Sequence, residues 1–425
     1  MKKYNLVVIG GGSAGLAAAI SAYDKGVKSI IILEKCDYLG GILLQCIHNG
    51  FGLHTFKEEL TGPEYADRFV RELKKRDIEY RVNSMVINIE KDPLRVEYSN
   101  EEEGLVKVEA DSIVCATGCS ERTRGAIAIP GDRVSGVMSA GLAQKYINVD
   151  GYMVGKRVFI LGSGDIGLIM ARRMTLEGAK VLGVAEIMPY SNGLNRNIVQ
   201  CLNDYDIPLY LHHSVKRIIG KDKLEKIEVA EVDDNLKFIP GTEKTFDVDT
   251  LLLSVGLIPE NKLLIKLGAE INRKTKGAVV DENMQTTIPG IFACGNGLHV
   301  HDLVDFVTSE GNYVGERVSK YLQGELKSGK SIPIINGESI GYVLPQSVDL
   351  DNVKFIKVSF RVTKPFKDAY LKVYQGDTVI RTLKKEYLIP AEMENLIIAK
   401  QNLVNDLPIK IEVSLNAWVN MYCMS

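Results

Sequence analysis

The sequence predicts an α/β chain of two doubly wound units, the second inserted in the first, followed by a small all-β module. Three observations predict this. Asn5 to Lys35 holds an apolar strand, a glycine-rich turn, a small-residue helix and a second apolar strand ending in an acid. The same pattern returns at Lys156 to Glu186. Beyond Gly329 helical periodicity stops and short alternating segments take over, as in a small β-sandwich.

Leu6 to Ile9 is a β-branched run of the kind buried on both faces of a sheet. It leads into Gly10-Gly11-Gly12-Ser13-Ala14-Gly15, which fits G-x-G-x-x-G, and then into a helix over Leu16 to Lys25. Such glycines let the backbone turn tightly and approach a pyrophosphate, whose charge then meets the positive end of the helix. Glu34, closing the strand Ser29 to Leu33, can accept hydrogen bonds from a ribose diol. A glycine-punctuated loop follows over Tyr38 to Gly52, then an amphipathic helix over Glu64 to Lys75. Val82 to Val108 reads as short strands around a turn at Asn100 to Gly104. Asp111 to Cys115 is another buried strand, ending at Ala116-Thr117-Gly118.

In the repeat, Lys156 to Leu161 is the strand and Gly162-Ser163-Gly164-Asp165-Ile166-Gly167 the turn. A helix runs to about Gly178, and the strand Lys180 to Ala185 ends on Glu186. The acid stands 24 positions after the first glycine in both copies (34 − 10 and 186 − 162). Each copy then passes through a charged meander into an apolar strand that ends in glycine, at Gly118 and Gly256. Two matching copies mean two dinucleotide sites. Ile187, Met188 and Pro189 offer no basic side chain to a 2′-phosphate, which favours NAD over NADP, although Arg196 follows ten positions on. Thr287 to Asn296 makes a further strand end, and a helix over about Leu303 to Leu322 would aim its N-terminal amides at what that end holds. The expected domains are 1–149 with 257–327, 150–256, and a β-sandwich-like module over 331–425.

Composition narrows the function. The 425 residues, 45% hydrophobic and 25% charged, are those of a globular protein of two or three domains. With 52 Lys plus Arg against 54 Asp plus Glu, no bulk field calls for nucleic acid or acidic lipid. No apolar run approaches the roughly twenty residues of a membrane span. Met1-Lys2-Lys3-Tyr4 enters the first strand at once, leaving no room for a cleavable leader, so a cytoplasmic protein is expected. Seven cysteines (Cys36, Cys46, Cys115, Cys119, Cys201, Cys294 and Cys423) form no C-x-x-C pair, so buried free thiols are expected for most.

On these motifs, residues 1 to about 327 resemble the two-dinucleotide-binding-domain flavoproteins of the pyridine nucleotide-disulfide oxidoreductase superfamily. The resemblance assigns the first copy to FAD, through Gly10, Gly12, Ser13, Ala14, Gly15, Glu34 and Lys35. It adds Gly41 and Ile42 from the loop, Val86, the Ala116-Thr117-Gly118 motif and Arg122. Gly295 and Asn296, from a second flavin motif over Thr287 to Asn296 with Asn where that motif usually has Asp, and Val304 complete the set. The second copy becomes the NAD site through Gly162, Gly164, Asp165, Ile166, Gly167, Glu186 and Gly256. The redox cysteine pair of the disulfide reductases is missing.

Gly41 to Gly52 and Glu121 to Ala126 are similar to a narrower group, the FAD/NAD subunits of multi-subunit dehydrogenases. Those are linked to anaerobic glycerol-3-phosphate oxidation and to sarcosine, proline or opine oxidation. The resemblance implies hydride transfer between NAD(H) and FAD. It also implies a partner flavoprotein dehydrogenase, a small iron–sulfur or Cys-containing subunit, and an oligomer. Two alternatives stand beside it: a self-contained NADH oxidase or peroxidase using Cys46, with His48 as its partner, and a mainly structural subunit with a vestigial flavin. Arg122 and Arg124 are either flavin or phosphate contacts or a solvated pair. His299-Val300-His301 is expected to pack or to bond the flavin rather than hold a metal, because an H-x-H pair alone is a poor metal signal.

Overall fold

The structure is a computed structural model and describes residues 1–326, 329–404 and 406–415. Two compact units form: Met1–Cys119 with Pro259–Ser425, and Ser120–Ile258.

The first unit is built on a sheet whose parallel part runs Glu79–Arg81, Ile30–Leu33, Lys3–Ile9, then Gly104–Cys115 with Ile291–Ala293 beside it. Register is tight: Leu6 faces Ile30 and Ser112, and Ile9 faces Leu33 and Cys115. Leu6, Val7 and Val8 are wholly buried, as a strand covered on both faces requires. Gly104–Cys115 is long enough for two partnerships. Its first half pairs antiparallel with Arg95–Asn100, which pairs with Met85–Glu90; its second half joins the parallel sheet. The turn at Asn100 is closed by its Oδ1, which accepts the Glu103 N–H at 2.6 Å.

The helix Ser13–Asp24 leaves the first strand, and the helix Val304–Leu322 crosses it. Only small residues permit this approach. A Cβ at Gly311 would run into the Ala14 carbonyl oxygen, and one at Gly315 into that of Ala18. The helix Gly62–Lys75 begins on a capping box, in which the Glu64 N–H donates to Thr61 Oγ1 and Glu64 Oε2 accepts the Thr61 N–H at 2.8 Å.

The second unit repeats the plan. Its parallel sheet runs Val137–Ser139, Thr250–Leu253, Arg157–Leu161, Lys180–Glu186, Leu209–Leu211. A three-stranded antiparallel sheet, His213–Gly220, Leu224–Glu231 and Lys244–Asp247, accounts for the charged meander. This unit starts at Ser120 and so takes in the helix Ala140–Asn148, which the sequence reading leaves with the first domain.

The C-terminal region packs a five-stranded sheet and a three-stranded sheet around their own core, including Val358, Phe360, Val373 and Ile411. It stays within the first unit. Val280 N–H donates to Gln346 Oε1 at 2.8 Å, Asp349 N–H to Glu282 Oε2 at 2.9 Å, and Arg361 pairs with Asp302. Cys423 lies outside the described residues.

Candidate nucleotide sites

The first site grows out of the turn after Ile9. Gly10 has φ +108°, and a Cβ there would strike the carbonyl oxygen of Ala116. Only glycine lets the fingerprint and the Ala116-Thr117-Gly118 end lie this close. Gly295 is packed against Ala14, and Gly297 against Thr117 and Gly118. The fingerprint, the Ala-Thr-Gly end and the Gly295–Asn296 turn therefore meet in one place. Glu34 is buried and draws the turn in: Gly11 N–H donates to Oε2 at 2.6 Å and Cys36 N–H to Oε1 at 2.8 Å. A carboxylate has about four acceptor positions, so capacity remains for a ribose hydroxyl.

The open side of the turn suits the pyrophosphate expected there. The helix Ser13–Asp24 has no side-chain cap and no acid in its first turn, so its leading amides face outward. A Cβ on Gly12 would meet nothing nearer than the Gly41 Cα at 3.9 Å, so Gly12 and Gly41 wall an open cradle. Ser13 begins the helix there; Ile42 and Lys35 are exposed at the same end of the unit, while Val86 is buried in its strand. Val304 starts the helix that crosses the first one, packed near Leu43, Leu60 and Tyr65. Asp305, the next residue, accepts the Thr55 N–H at 2.7 Å and fixes the preceding loop to that helix start.

The second site reproduces the first. Gly162 has φ +97° and sits against the Ser254 carbonyl oxygen as Gly10 does against Ala116. Glu186 is buried; Ser163 N–H donates to its Oε2 at 3.0 Å, Ser163 Oγ at 2.6 Å, and Met188 N–H to its Oε1 at 3.0 Å. Gly167 N–H donates to Ser254 Oγ at 3.1 Å, which closes the turn from behind. A Cβ on Gly164 would meet nothing nearer than that oxygen, at 3.3 Å. Asp165 Oδ1 accepts from Leu194 N–H and Asn197 Nδ2, and Ile166 packs into the core. Arg196 is exposed on the helix Asn195–Cys201.

Arg122 and Arg124 both lie in the second unit. Arg122 N–H donates to the Gly256 oxygen at 3.0 Å and its side chain runs beside Gly256. Arg122, grouped with the first site on resemblance, thus keeps company with a residue expected at the second. Arg124 spends its guanidinium on the carbonyls of Ile129, Gly131 and Asp132.

No disulfide joins the described cysteines. Burial pushes the Cys46 thiol up to about 12, and its sulfur lies 3.4 Å from the Ile42 oxygen. Burial raises Cys115 to about 12 and Cys201 to about 11. None of these three is a ready thiolate at neutral pH. His48 stacks obliquely on Phe51, ring centroids 5.0 Å apart.

Sequence reasoning missed Ser163, Ser254, Asp305 and Glu310. The two serines carried a signal, because each sits inside a motif already marked. Glu310 carried none. It arrives from mid-helix to accept the Gly295 N–H at 2.7 Å, with His299 Nε2 at 2.9 Å and His301 Nε2 at 3.4 Å from its other oxygen. Burial pushes the His299 imidazole down, toward its neutral form. Asn296 Oδ1 accepts the His301 N–H at 3.0 Å, which holds the turn to the histidine segment.

Two glycine-turn sites on two parallel sheets define a flavin-dependent nicotinamide nucleotide oxidoreductase. The chain belongs to the pyridine nucleotide-disulphide oxidoreductase family, whose model matches residues 4–311. It is an enzyme that uses FAD and NAD(P)H. Among curated relatives, a Methanocaldococcus jannaschii NADH oxidase is 26% identical over 344 residues, 77% of this chain and 69% of that protein. An opine oxidase subunit of Agrobacterium tumefaciens is 24% identical over 69% of this chain and 61% of its own length. The fold is that of T. acidophilum thioredoxin reductase, with TM-score 0.62 at 23% identity over 76% of this chain and 99% of that one. No described helix is long and apolar enough to cross a membrane.

Proposed function

We propose that the first copy holds FAD, that the second holds NAD(H) rather than NADP(H), and that electrons pass to or from a partner dehydrogenase subunit, glycerol-3-phosphate oxidation being the best-fitting system. When bound, the two cofactors supply the hydride chemistry between nicotinamide and flavin. The residues of the chain bind and orient them. Gly12 and Gly41 leave room for a pyrophosphate, the open amides from Ser13 onward meet its charge, and Glu34 and Glu186 each receive a ribose. Glu186 is the reason for NAD: a buried carboxylate at the strand end would repel a 2′-phosphate, and no basic residue adjoins it.

The observation that carries the partner reading is the state of Cys46. A thiol pushed up to about 12 is a poor nucleophile at pH 7, and the described cysteines form no disulfide. Electrons leaving the flavin thus find no disulfide acceptor among the described residues. The β-module, the loop Gly41 to Gly52 and the match to a protein named as an oxidase subunit support an external acceptor. The relative named NADH oxidase favours the alternative of direct oxygen reduction.

A turnover assay separates the two. Purified protein with NADH in air is expected to consume oxygen slowly, to reduce an artificial dye quickly, and to keep both rates within about twofold in Cys46→Ser. Fast NADH-driven oxygen or peroxide consumption, abolished by Cys46→Ser, would replace the partner reading with the oxidase.

A further inference from the structure

Two imidazoles and one carboxylate converge in the first unit, behind the Gly295–Asn296 turn. His299 Nε2 and His301 Nε2 lie 2.9 Å and 3.4 Å from the same oxygen, Glu310 Oε2. One ligating atom from each of the three residues falls within 4.8 Å of the others. Metal–ligand bonds of about 2.0–2.1 Å place neighbouring ligand atoms roughly 2.9–3.4 Å apart on an octahedral or tetrahedral ion. Both nitrogen–oxygen separations at Glu310 Oε2 fall in that range. The side chains are enclosed, at 1% exposure for each histidine and 10% for Glu310.

The atoms that face away from the centre matter as much. His299 Nδ1 lies 3.3 Å from the Tyr342 hydroxyl, His301 Nδ1 3.3 Å from Asn296 Oδ1, and Glu310 Oε1 accepts the Gly295 N–H at 2.7 Å. Each residue turns one atom inward and has its other atom held, the outer-shell arrangement that orients metal ligands. The backbone around the histidines is pinned as well. Arg361 pairs with Asp302 and donates to the Val300 oxygen at 3.1 Å, and Met393 N–H donates to Asp302 Oδ2 at 2.6 Å. Tyr342, Arg361 and Met393 all come from the C-terminal β-module, which therefore preorganises the cluster.

We propose that His299, His301 and Glu310 bind one divalent transition-metal ion of the Zn²⁺ or Fe²⁺ class, fixing the loop from Gly295 to Asp302. Two nitrogens and one oxygen suit such an ion better than Mg²⁺ or Ca²⁺, which take oxygen sets. The expectation of no metal weighs the His299–His301 pair and its place just after the second flavin motif, without Glu310. The helix Val304–Leu322 adds the missing carboxylate eleven positions on from His299.

Full-length flavin-loaded protein, stripped with a chelator, is dialysed against Zn²⁺ or Co²⁺; bound metal is measured by mass spectrometry and the Co²⁺ visible spectrum is recorded. About one equivalent per chain is expected, with Co²⁺ bands of nitrogen and oxygen ligation, and binding is lost in His301→Ala and Glu310→Gln. Tyr342→Phe removes one outer hydroxyl and is expected to weaken binding about 10–100-fold while the fold stands. Zn²⁺ is also expected to slow amide exchange across the Gly295–Asp302 loop. Uptake below about a tenth of an equivalent by the unaltered chain overturns the proposal. So does metal affinity that stays unchanged in Tyr342→Phe, the deciding variant should His301→Ala or Glu310→Gln not fold.

Discussion

Gly12 and Asp281 show how differently single residues serve this chain. Gly12 has ordinary extended backbone and no protein atom where its Cβ would go, so the fold does not require glycine there; the proposed pyrophosphate cradle does. Gly12→Val is expected to lose at least tenfold in FAD occupancy, read from the absorbance ratio of purified protein, while circular dichroism stays native. Unchanged occupancy would mean the cradle is elsewhere. Asp281 bears on stability instead. Burial, followed by the charge of Glu282 beside it, pushes its carboxyl up from 3.8 to about 6. The folded state thus holds a proton that the unfolded state releases. That contribution is full below about pH 4 and is lost as pH rises through 6, at most about 3 kcal/mol at 1.36 kcal/mol per pH unit. Asp281→Asn keeps Oδ1 as acceptor for the N–H groups of Asn283 and Gln285. Denaturant melts from pH 4 to 7 should show a flatter profile for the variant and a more stable protein at pH 7.

Among elements, the crossing of Ser13–Asp24 by Val304–Leu322 is the contact on which the first site depends. Gly311→Val would press a branched side chain onto the Ala14 carbonyl and Ala17. Overpacking of this kind costs about 1–3 kcal/mol, and here it would also displace Ala14 from Gly295. Urea unfolding should show that loss together with weaker FAD retention; a variant as stable as the parent would deny the contact its role. Much of this was legible in the sequence. The buried strands, the two glycine turns and their acids announced themselves because backbone geometry and local periodicity dictate them. Gly311 and Gly315, which let the second helix approach the small residues of the first, lie some three hundred residues away, and only the fold joins them. Glu310 was silent for the same reason. A single acid on a long helix has no local pattern, and its meaning comes from His299 and His301 across a turn. The helix Ala140–Asn148 escaped as well, since Leu142 and Tyr146 on it, and Val149 just after it, are exposed and blur its apolar stripe.

The whole molecule is one plan used twice, with a β-module added to the first copy. Alone, the opening fingerprint would suggest a nicotinamide site. Gly295 lies against Ala14 and Ala116 against Gly10, so the other expected flavin motifs surround it, and in the proposed assignment the nicotinamide goes to the copy around Glu186. The β-module has its own core, yet it reaches back through Arg361, Gln346 and Tyr342 to the first unit's strand ends and the loop behind Asn296. The measurement that tests this assignment most directly is an anaerobic titration of the purified protein with NADH and with NADPH, following the flavin absorbance. NADH is expected to bleach the bound flavin with about one equivalent, and NADPH at least tenfold less effectively. Reduction by NADPH that matches or exceeds that by NADH would contradict the role given to Glu186, and flavin that neither nucleotide bleaches would contradict the account as a whole.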